Sequence, residues 1–244
     1  MDATEQVVAR FVAELRRSVP LLAVWAHGSL ALGDYQPGRS DLDLLAVIER
    51  ALDPGEQAAL TALHRTLEDT APLARKLHCS YLVQGRLGDP AERHLTWAHR
   101  ELFTRPVSVV TRRELALGGR TFFGPPPGEL VPPVSDEELA QAIRADLREF
   151  WMPATARWRR WLRDDWVDVG LFTLARASVT LRTGELLTKS QALAVLPEFG
   201  VSVELLRDLA NRRYGRAVSQ TWRWRRRRAD EVRRVLRAGI ARVA

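Results

Sequence analysis

The sequence predicts two domains, an α+β N-terminal domain over residues 1–125 and an all-α C-terminal domain over residues 134–244. Three observations support this division. Short apolar segments that are typical of strands alternate with helical segments up to about residue 110. A Pro- and Gly-rich segment, GGRTFFGPPPGELVPP, then occupies residues 118–133 and is typical of a connection between domains. Beyond it, every predicted element is a helix.

The N-terminal elements follow from periodicity and capping signals. Residues 4–17 carry apolar side chains at helical spacing. Asp53-Pro54-Gly55-Glu56 combines an N-cap, a first-turn proline and a capping glutamate, which predicts a second helix to about residue 69. A third helix is predicted from Asp89-Pro90 to about Phe103. The predicted strands are Leu21–Ala26, Leu42–Ile48, Leu77–Val83 and Val107–Val110.

The C-terminal half shows only helical patterns, without a repeat period. A capping box at Ser135–Glu138 begins the first of these helices. The predicted helices cover residues 136–150, 152–163, 167–183, 189–196, 202–213 and 219–242.

Composition limits the class of protein. The chain has 244 residues, of which 46% are hydrophobic and 27% charged, as in an ordinary globular protein. It lacks an apolar run of the roughly 20 residues that span a bilayer, and its N-terminus lacks the features of a signal peptide. The only cysteine, Cys79, excludes a disulfide or a cysteine-based zinc site within one chain. We therefore expect a cytoplasmic protein without a membrane partner, either monomeric or weakly dimeric.

The net charge of +7 comes almost entirely from arginine, because Lys76 and Lys189 are the only lysines. A basic total is typical of nucleic-acid-binding proteins. A compositional preference for arginine explains it equally well, so we do not expect a nucleic acid partner.

The chemistry concentrates in residues 24–49. An apolar strand leads to Gly28-Ser29, a loop follows, and Asp41 and Asp43 flank the start of a second apolar strand. Carboxylates two residues apart on a strand point to the same face, roughly 6–7 Å apart, and can bind Mg²⁺ together with substrate phosphates. Glycine allows a polyphosphate to approach the backbone, and the serine can donate to it. Each pair alone is also compatible with a simple turn or a solvated strand end.

The stretch His27-Gly28-Ser29 with Ser40-Asp41-Leu42-Asp43 resembles the signature of the nucleotidyltransferase superfamily. The resemblance implies a small mixed sheet flanked by helices, with Asp41 and Asp43 as catalytic ligands of Mg²⁺ and with ATP as co-substrate.

The C-terminal half resembles the helical bundle of aminoglycoside adenylyltransferases of the streptomycin/spectinomycin type, a domain that completes the ATP and substrate cleft. The resemblance rests on Leu174–Arg176, Thr180–Glu185, Lys189 and Arg213–Gly215. It implies that Arg176 and Lys189 contact the ATP phosphates and that Tyr214 packs at the nucleotide. An intrachain salt bridge, a solvated lysine and a core tyrosine are the structural alternatives.

One position departs from the family pattern. A third carboxylate, serving as general base, is expected on the strand at 77–83, and His78 stands there instead. Histidine can accept a proton, since its unperturbed pKa is about 6.5. The alternatives are a base from Asp89 or Glu101, a packed strand histidine, or weak activity.

The predicted function is transfer of AMP from Mg·ATP to a hydroxyl group of a small, aminoglycoside-like acceptor. Asp168, in the acidic run before the Arg176 helix, is a candidate ligand for a polycationic substrate, although acidic residues at a helix start are commonly caps. An AMP transferase acting on protein or RNA and a catalytically weakened nucleotide-binding module are the alternative functions.

Overall fold

The structure, a computed structural model, describes residues 2–89, 91–218 and 220–244. The chain divides into two compact units, the first ending at Val134 and the second running from Ser135 to Ala244. Among the described residues, no helix is both long and apolar enough to cross a membrane.

The first unit combines a sheet with helices. Its elements are α1 (Ala3–Ser18), β1 (Leu21–Ala26), α2 (Gly28–Ala31), β2 (Leu42–Ile48), α3 (Pro54–Thr70), a 3₁₀ turn at Pro72–Lys76, β3 (Leu77–Val83), β4 (Arg93–Ala98), β5 (Glu101–Pro106), α4 (Val109–Gly118), β6 (Arg120–Phe123) and α5 (Pro127–Leu130).

The six strands form one mixed sheet in the order β5-β4-β3-β2-β1-β6. β2 and β3 are parallel, and the other neighbouring strands are antiparallel. Successive side chains point to opposite faces, so Val24 belongs to the core that contains Phe11 of α1, and Trp25 to the core that contains Leu115 of α4. The prediction of a small mixed sheet flanked by helices is confirmed.

The helix predicted from Asp89 to about Phe103 is wrong. β4 and β5 form an antiparallel hairpin over most of this range, and Pro90, where that helix was predicted to begin, lies outside the described residues. The turn residues His99 and Arg100 both have positive φ, 54° and 66°. A hairpin turn of this kind is normally signalled by Asn-Gly or a similar pair. Without that signal, the sequence does not reveal the reversal of the chain.

The elements after this hairpin also differ from the prediction. Val107–Val110 is not a strand, because α4 begins at Val109 and the Ser108 side chain accepts a hydrogen bond from the Thr111 amide at its N-terminus. The Pro- and Gly-rich segment contains β6, which pairs with β1. A segment with the composition of a loop therefore forms an edge strand, because it pairs with β1, which lies far away in the sequence.

The second unit is all-helical, as predicted. Its elements are α6 (Asp136–Asp146), a π-helical turn at Leu147–Trp151, α7 (Met152–Ala154), a 3₁₀ turn at Trp158–Leu162, α8 (Asp164–Thr183), α9 (Lys189–Val195), a 3₁₀ turn at Leu196–Phe199, α10 (Val203–Arg213) and α11 (Trp222–Val243). The predicted start of the last helix at residue 219 lies outside the described residues.

The single helix predicted over 152–163 is wrong, because α7 ends at Ala154 and a separate turn follows. Trp161 is fully buried in this turn, and its Nε1 donates to the Ala154 carbonyl at 3.1 Å. Its ring also contacts Trp151 and Trp166, with centroids 6.5 and 6.0 Å away. The buried Trp161 side chain therefore packs against two other indoles from a short turn rather than from a continuous helix.

We expect Gly124→Ala to destabilise the protein strongly. Gly124 has a φ of 73°, and a Cβ atom built there would lie 2.0 Å from the Leu22 carbonyl oxygen. The clash requires a backbone shift, for which we expect a loss of about 2–4 kcal/mol in urea unfolding. Gly128→Ala is the matched control, because a Cβ there meets nothing within 4 Å. Equal stability of the two variants would contradict this packing.

His64 should make stability depend on pH. It is buried in the first unit, its Nε2 lies 2.5 Å from the Tyr81 hydroxyl, and burial lowers its pKa to about 3. An unfolded histidine has a pKa of about 6.5, so between these two values only the unfolded chain takes up the proton. The stability from this group is complete above the unfolded pKa and is lost as pH falls.

Between about pH 7.5 and about pH 5.5 the expected loss from His64 is about 1.4 kcal/mol in the free energy of unfolding. His64→Gln should remove this share of the pH dependence, whereas His99→Asn, at an exposed histidine, should keep it. An unchanged pH dependence in His64→Gln would show that His64 is not the group responsible.

Candidate active site

Asp41 and Asp43 lie at the open end of β2. Asp41 precedes the strand and Asp43 is its second residue, and their side chains are 42% and 31% exposed. The rest of the strand is buried. The two carboxylates therefore keep contact with solvent at the end of a buried strand, where a charged ligand can reach them without the cost of full burial.

The Gly28-Ser29 turn packs against the second of these carboxylates. The His27 amide donates to the Asp43 carbonyl at 3.0 Å, which holds the end of β1 beside the start of β2. Gly28 follows with a φ of 61°, and a Cβ atom there would lie 3.1 Å from Asp43 Oδ2. Only glycine combines this backbone conformation with room for the carboxylate. The structure thus brings together both halves of the predicted motif.

His78 lies beside the same aspartate. In the parallel pairing of β2 and β3, Asp43 and His78 are register partners, and His78 Nδ1 is 3.6 Å from Asp43 Oδ1. The side chain is 13% exposed, and the His99 ring packs edge-on against it at 5.0 Å. The position where a third carboxylate is expected therefore lies next to the aspartate pair, and the imidazole of His78 occupies it.

The alternative bases are placed differently. The Asp89 carboxylate accepts a hydrogen bond from the Ala91 amide at 2.8 Å and so shapes the loop before β4. Glu101 is an exposed residue at the start of β5, paired with Ala98. The roles of His78, Asp89 and Glu101 as bases stay predictions.

Two neighbours of the site were not predicted. Lys76 Nζ donates to Asp41 Oδ1 at 3.4 Å. The buried Glu114 of α4 reaches His27, with Oε2 3.3 Å from Nδ1. The rarity of lysine in this chain was a signal for Lys76. The sequence held no signal for Glu114, because 87 residues separate it from His27.

A divalent cation at this site would be held mainly by Asp41 and Asp43. Among the described residues, no group of three His, Cys, Asp or Glu side chains is arranged to hold a metal ion. Mg²⁺ commonly takes one or two carboxylates and completes its shell with water and substrate phosphates. The exposed aspartate pair fits that mode of binding.

The three nucleotide-binding candidates of the second unit lie around one segment. Arg176 Nε on α8 donates to the Leu187 carbonyl at 2.7 Å. Lys189 is the exposed first residue of α9, which Thr188 caps. Tyr214 is 45% exposed, and its hydroxyl donates to the Ser190 hydroxyl at 3.2 Å. Arg176 and Tyr214 therefore both contact the segment 187–190, which contains Lys189, and the nucleotide-binding roles of all three stay predictions.

Asp168 forms an ion pair with Arg212. Arg212 from α10 donates to both Asp168 oxygens, the shortest contact being 2.6 Å, and also pairs with Asp208. Burial raises the pKa of Asp168, and its bonds to Arg212 act in the opposite direction. This ion pair gives Asp168 a structural role inside the second unit. Its assignment as a substrate ligand stays a prediction.

Asp168→Asn distinguishes these two roles. If the pair with Arg212 is structural, the substitution leaves a partly buried guanidinium with fewer partners and should cost about 1–3 kcal/mol in urea unfolding. Asp165→Asn, in the first turn of the same helix and paired with Arg163 at the surface, should remain close to wild type. Unchanged stability of Asp168→Asn, with a raised KM for the acceptor, would favour the substrate role.

Comparison with known proteins supports the two halves separately. Residues 8–87 match the family described as "Nucleotidyltransferase domain", and residues 129–238 match "Aminoglycoside adenylyltransferase, C-terminal domain". No protein of curated function matches the chain. Among solved structures, the spectinomycin adenyltransferase AAD(9) from Enterococcus faecialis, crystallised with ATP and spectinomycin, has a similar fold, with a TM-score of 0.74 and 17% identity over 95% of this chain and 98% of that one. The two domain matches lie in this order and together span most of the sequence, so the chain combines a nucleotidyltransferase domain with a C-terminal domain of the aminoglycoside adenylyltransferase type.

Proposed function

We propose that the protein transfers AMP from Mg·ATP to a hydroxyl group of a small, aminoglycoside-like acceptor. The observation that carries the proposal is the packing of Gly28 against Asp43 beside Asp41, which brings the turn proposed to bind phosphate next to the two aspartates proposed to bind the metal. The C-terminal domain match and the fold of a spectinomycin adenyltransferase support the choice of acceptor class.

Asp41 and Asp43 would hold Mg²⁺, which when bound offsets the charge of the triphosphate and polarises its phosphoryl oxygens. Gly28 and Ser29 would bind phosphate oxygens through backbone amides and the serine hydroxyl. Arg176 and Lys189 would add positive charge for the phosphates, and the exposed ring of Tyr214 would pack at the nucleotide. For these three residues the support is the family resemblance and their grouping around residues 187–190.

The acceptor oxygen would bond to the α-phosphorus while the bond from that phosphorus to the bridging oxygen breaks, and pyrophosphate leaves. The hydroxyl proton would pass to Nε2 of His78. Asp43 faces the other ring nitrogen, Nδ1, at 3.6 Å. A carboxylate on that side favours the tautomer with its proton on Nδ1, which leaves Nε2 as the acceptor. Most of the acceleration would come from alignment of the reactants and charge neutralisation.

Two other functions each have an observation in their favour. The imidazole in place of a third carboxylate favours a nucleotide-binding module with little catalysis. The exposed arginines near the start of α11, at positions 223 and 225–227, favour an RNA acceptor. Both would bind Mg·ATP, but the first would release no pyrophosphate and the second would release it only with RNA.

The test is pyrophosphate release from Mg·ATP with a panel of aminoglycosides, spectinomycin and, separately, total tRNA. We expect release with one of the small acceptors, and a loss of about 100-fold or more in Asp43→Asn because the variant removes a metal ligand. Asp69→Asn, at an exposed aspartate near the end of α3, is the matched control and should keep full activity. ATP binding without release for any small acceptor, or an active Asp43→Asn, would refute the proposal.

A further inference from the structure

The backbone pairing of β2 and β3 places Lys76 next to the proposed metal ligands. It ends the 3₁₀ turn at Pro72–Lys76, directly before β3. Leu42 and Leu77 are register partners in the parallel pair of β2 and β3, so the residues that precede them, Asp41 and Lys76, also lie side by side. The 3.4 Å contact between Nζ and Oδ1 therefore follows from strand register.

The negative charge at this strand end is small for a site that would hold two divalent cations. Asp41 and Asp43 bring two negative charges, and Lys76 cancels one of them. The position facing Asp43 carries His78, which brings no negative charge. Two-metal sites need enough carboxylates to hold both ions about 3.5–4 Å apart. Here a second cation would find few ligands and an ammonium group already beside Asp41.

We propose that Lys76 takes the place of a second divalent cation, so that the site binds ATP with a single Mg²⁺. This inference rests on the proposed function, and it adds a residue and a metal stoichiometry to it. The ammonium is a compact charge with three donors and forms charge-assisted hydrogen bonds with phosphate oxygens. It is 44% exposed, so it can move from Asp41 to a bound triphosphate without leaving a buried carboxylate unpaired.

Counting the bound metal tests the stoichiometry. Mn²⁺ binding is measured by electron paramagnetic resonance in the presence of α,β-methylene ATP, which cannot release pyrophosphate. Wild type should bind one nucleotide-dependent Mn²⁺, and the double variant Lys76→Met/His78→Glu should bind two, because it restores a carboxylate and removes the ammonium. Two ions in wild type, or one in the double variant, would overturn the proposal.

Nucleotide affinity tests the role of the ammonium. With Mn²⁺ saturating, Lys76→Met should weaken binding of α,β-methylene ATP about tenfold, because a charge-assisted bond to phosphate is lost. Arg75→Met is the matched control, since Arg75 is the exposed cation one position earlier and should bind as wild type does. Lys76→Arg keeps the charge and should recover part of the affinity.

Tighter rather than weaker binding by Lys76→Met would have a different cause. If Lys76 only competes with the metal for Asp41, Lys76→Met should bind both Mn²⁺ and nucleotide more tightly than wild type, which would overturn the proposal. Absence of nucleotide-dependent Mn²⁺ binding in every variant, wild type included, would refute the proposed function as well. Circular dichroism of each variant shows whether it is folded.

Discussion

The candidate active site depends on the parallel register of β2 and β3. That register sets Asp43 opposite His78 and places Lys76 beside Asp41, so two carboxylates, an imidazole and an ammonium group meet at one strand end. A parallel pair needs a long crossover, which α3 and the following 3₁₀ turn supply. A shift of β3 by one residue would give the aspartates other partners and would move the buried side chains of β3 to the opposite faces of the sheet.

Lysine and arginine have different uses in this chain. Both lysines are proposed to contact the nucleotide, Lys76 from beside Asp41 and Lys189 from the start of α9. Several arginines instead stabilise the second unit. Arg212 pairs with Asp168 and Asp208, and the fully buried Arg228 pairs with Asp208 and Asp164. A planar guanidinium suits fixed, multiple contacts, whereas an ammonium on a flexible stem can follow a ligand. The basic composition is thus partly structural.

Prediction from sequence succeeded where the signal was local. The strands β1, β2 and β3 and the capped helices α3 and α6 follow from apolar segments and capping motifs within a few residues. It failed where the determinant was distant. The turn at His99-Arg100 has positive φ without glycine, and β6 is a strand only because β1 is its partner. Neither feature can be detected within a short window of sequence.

The sequence by itself determined the two-part architecture, the aspartate pair and the glycine turn, because spacing on one strand and backbone freedom are local properties. Only the tertiary structure decided which groups surround them. It placed Lys76 and His78 through strand pairing, brought Glu114 to His27 from a helix far along the chain, and gave Asp168 a partner in Arg212. Ion pairs between remote segments depend on how the strands and helices pack, and packing is settled by the burial of the whole core rather than by any one motif.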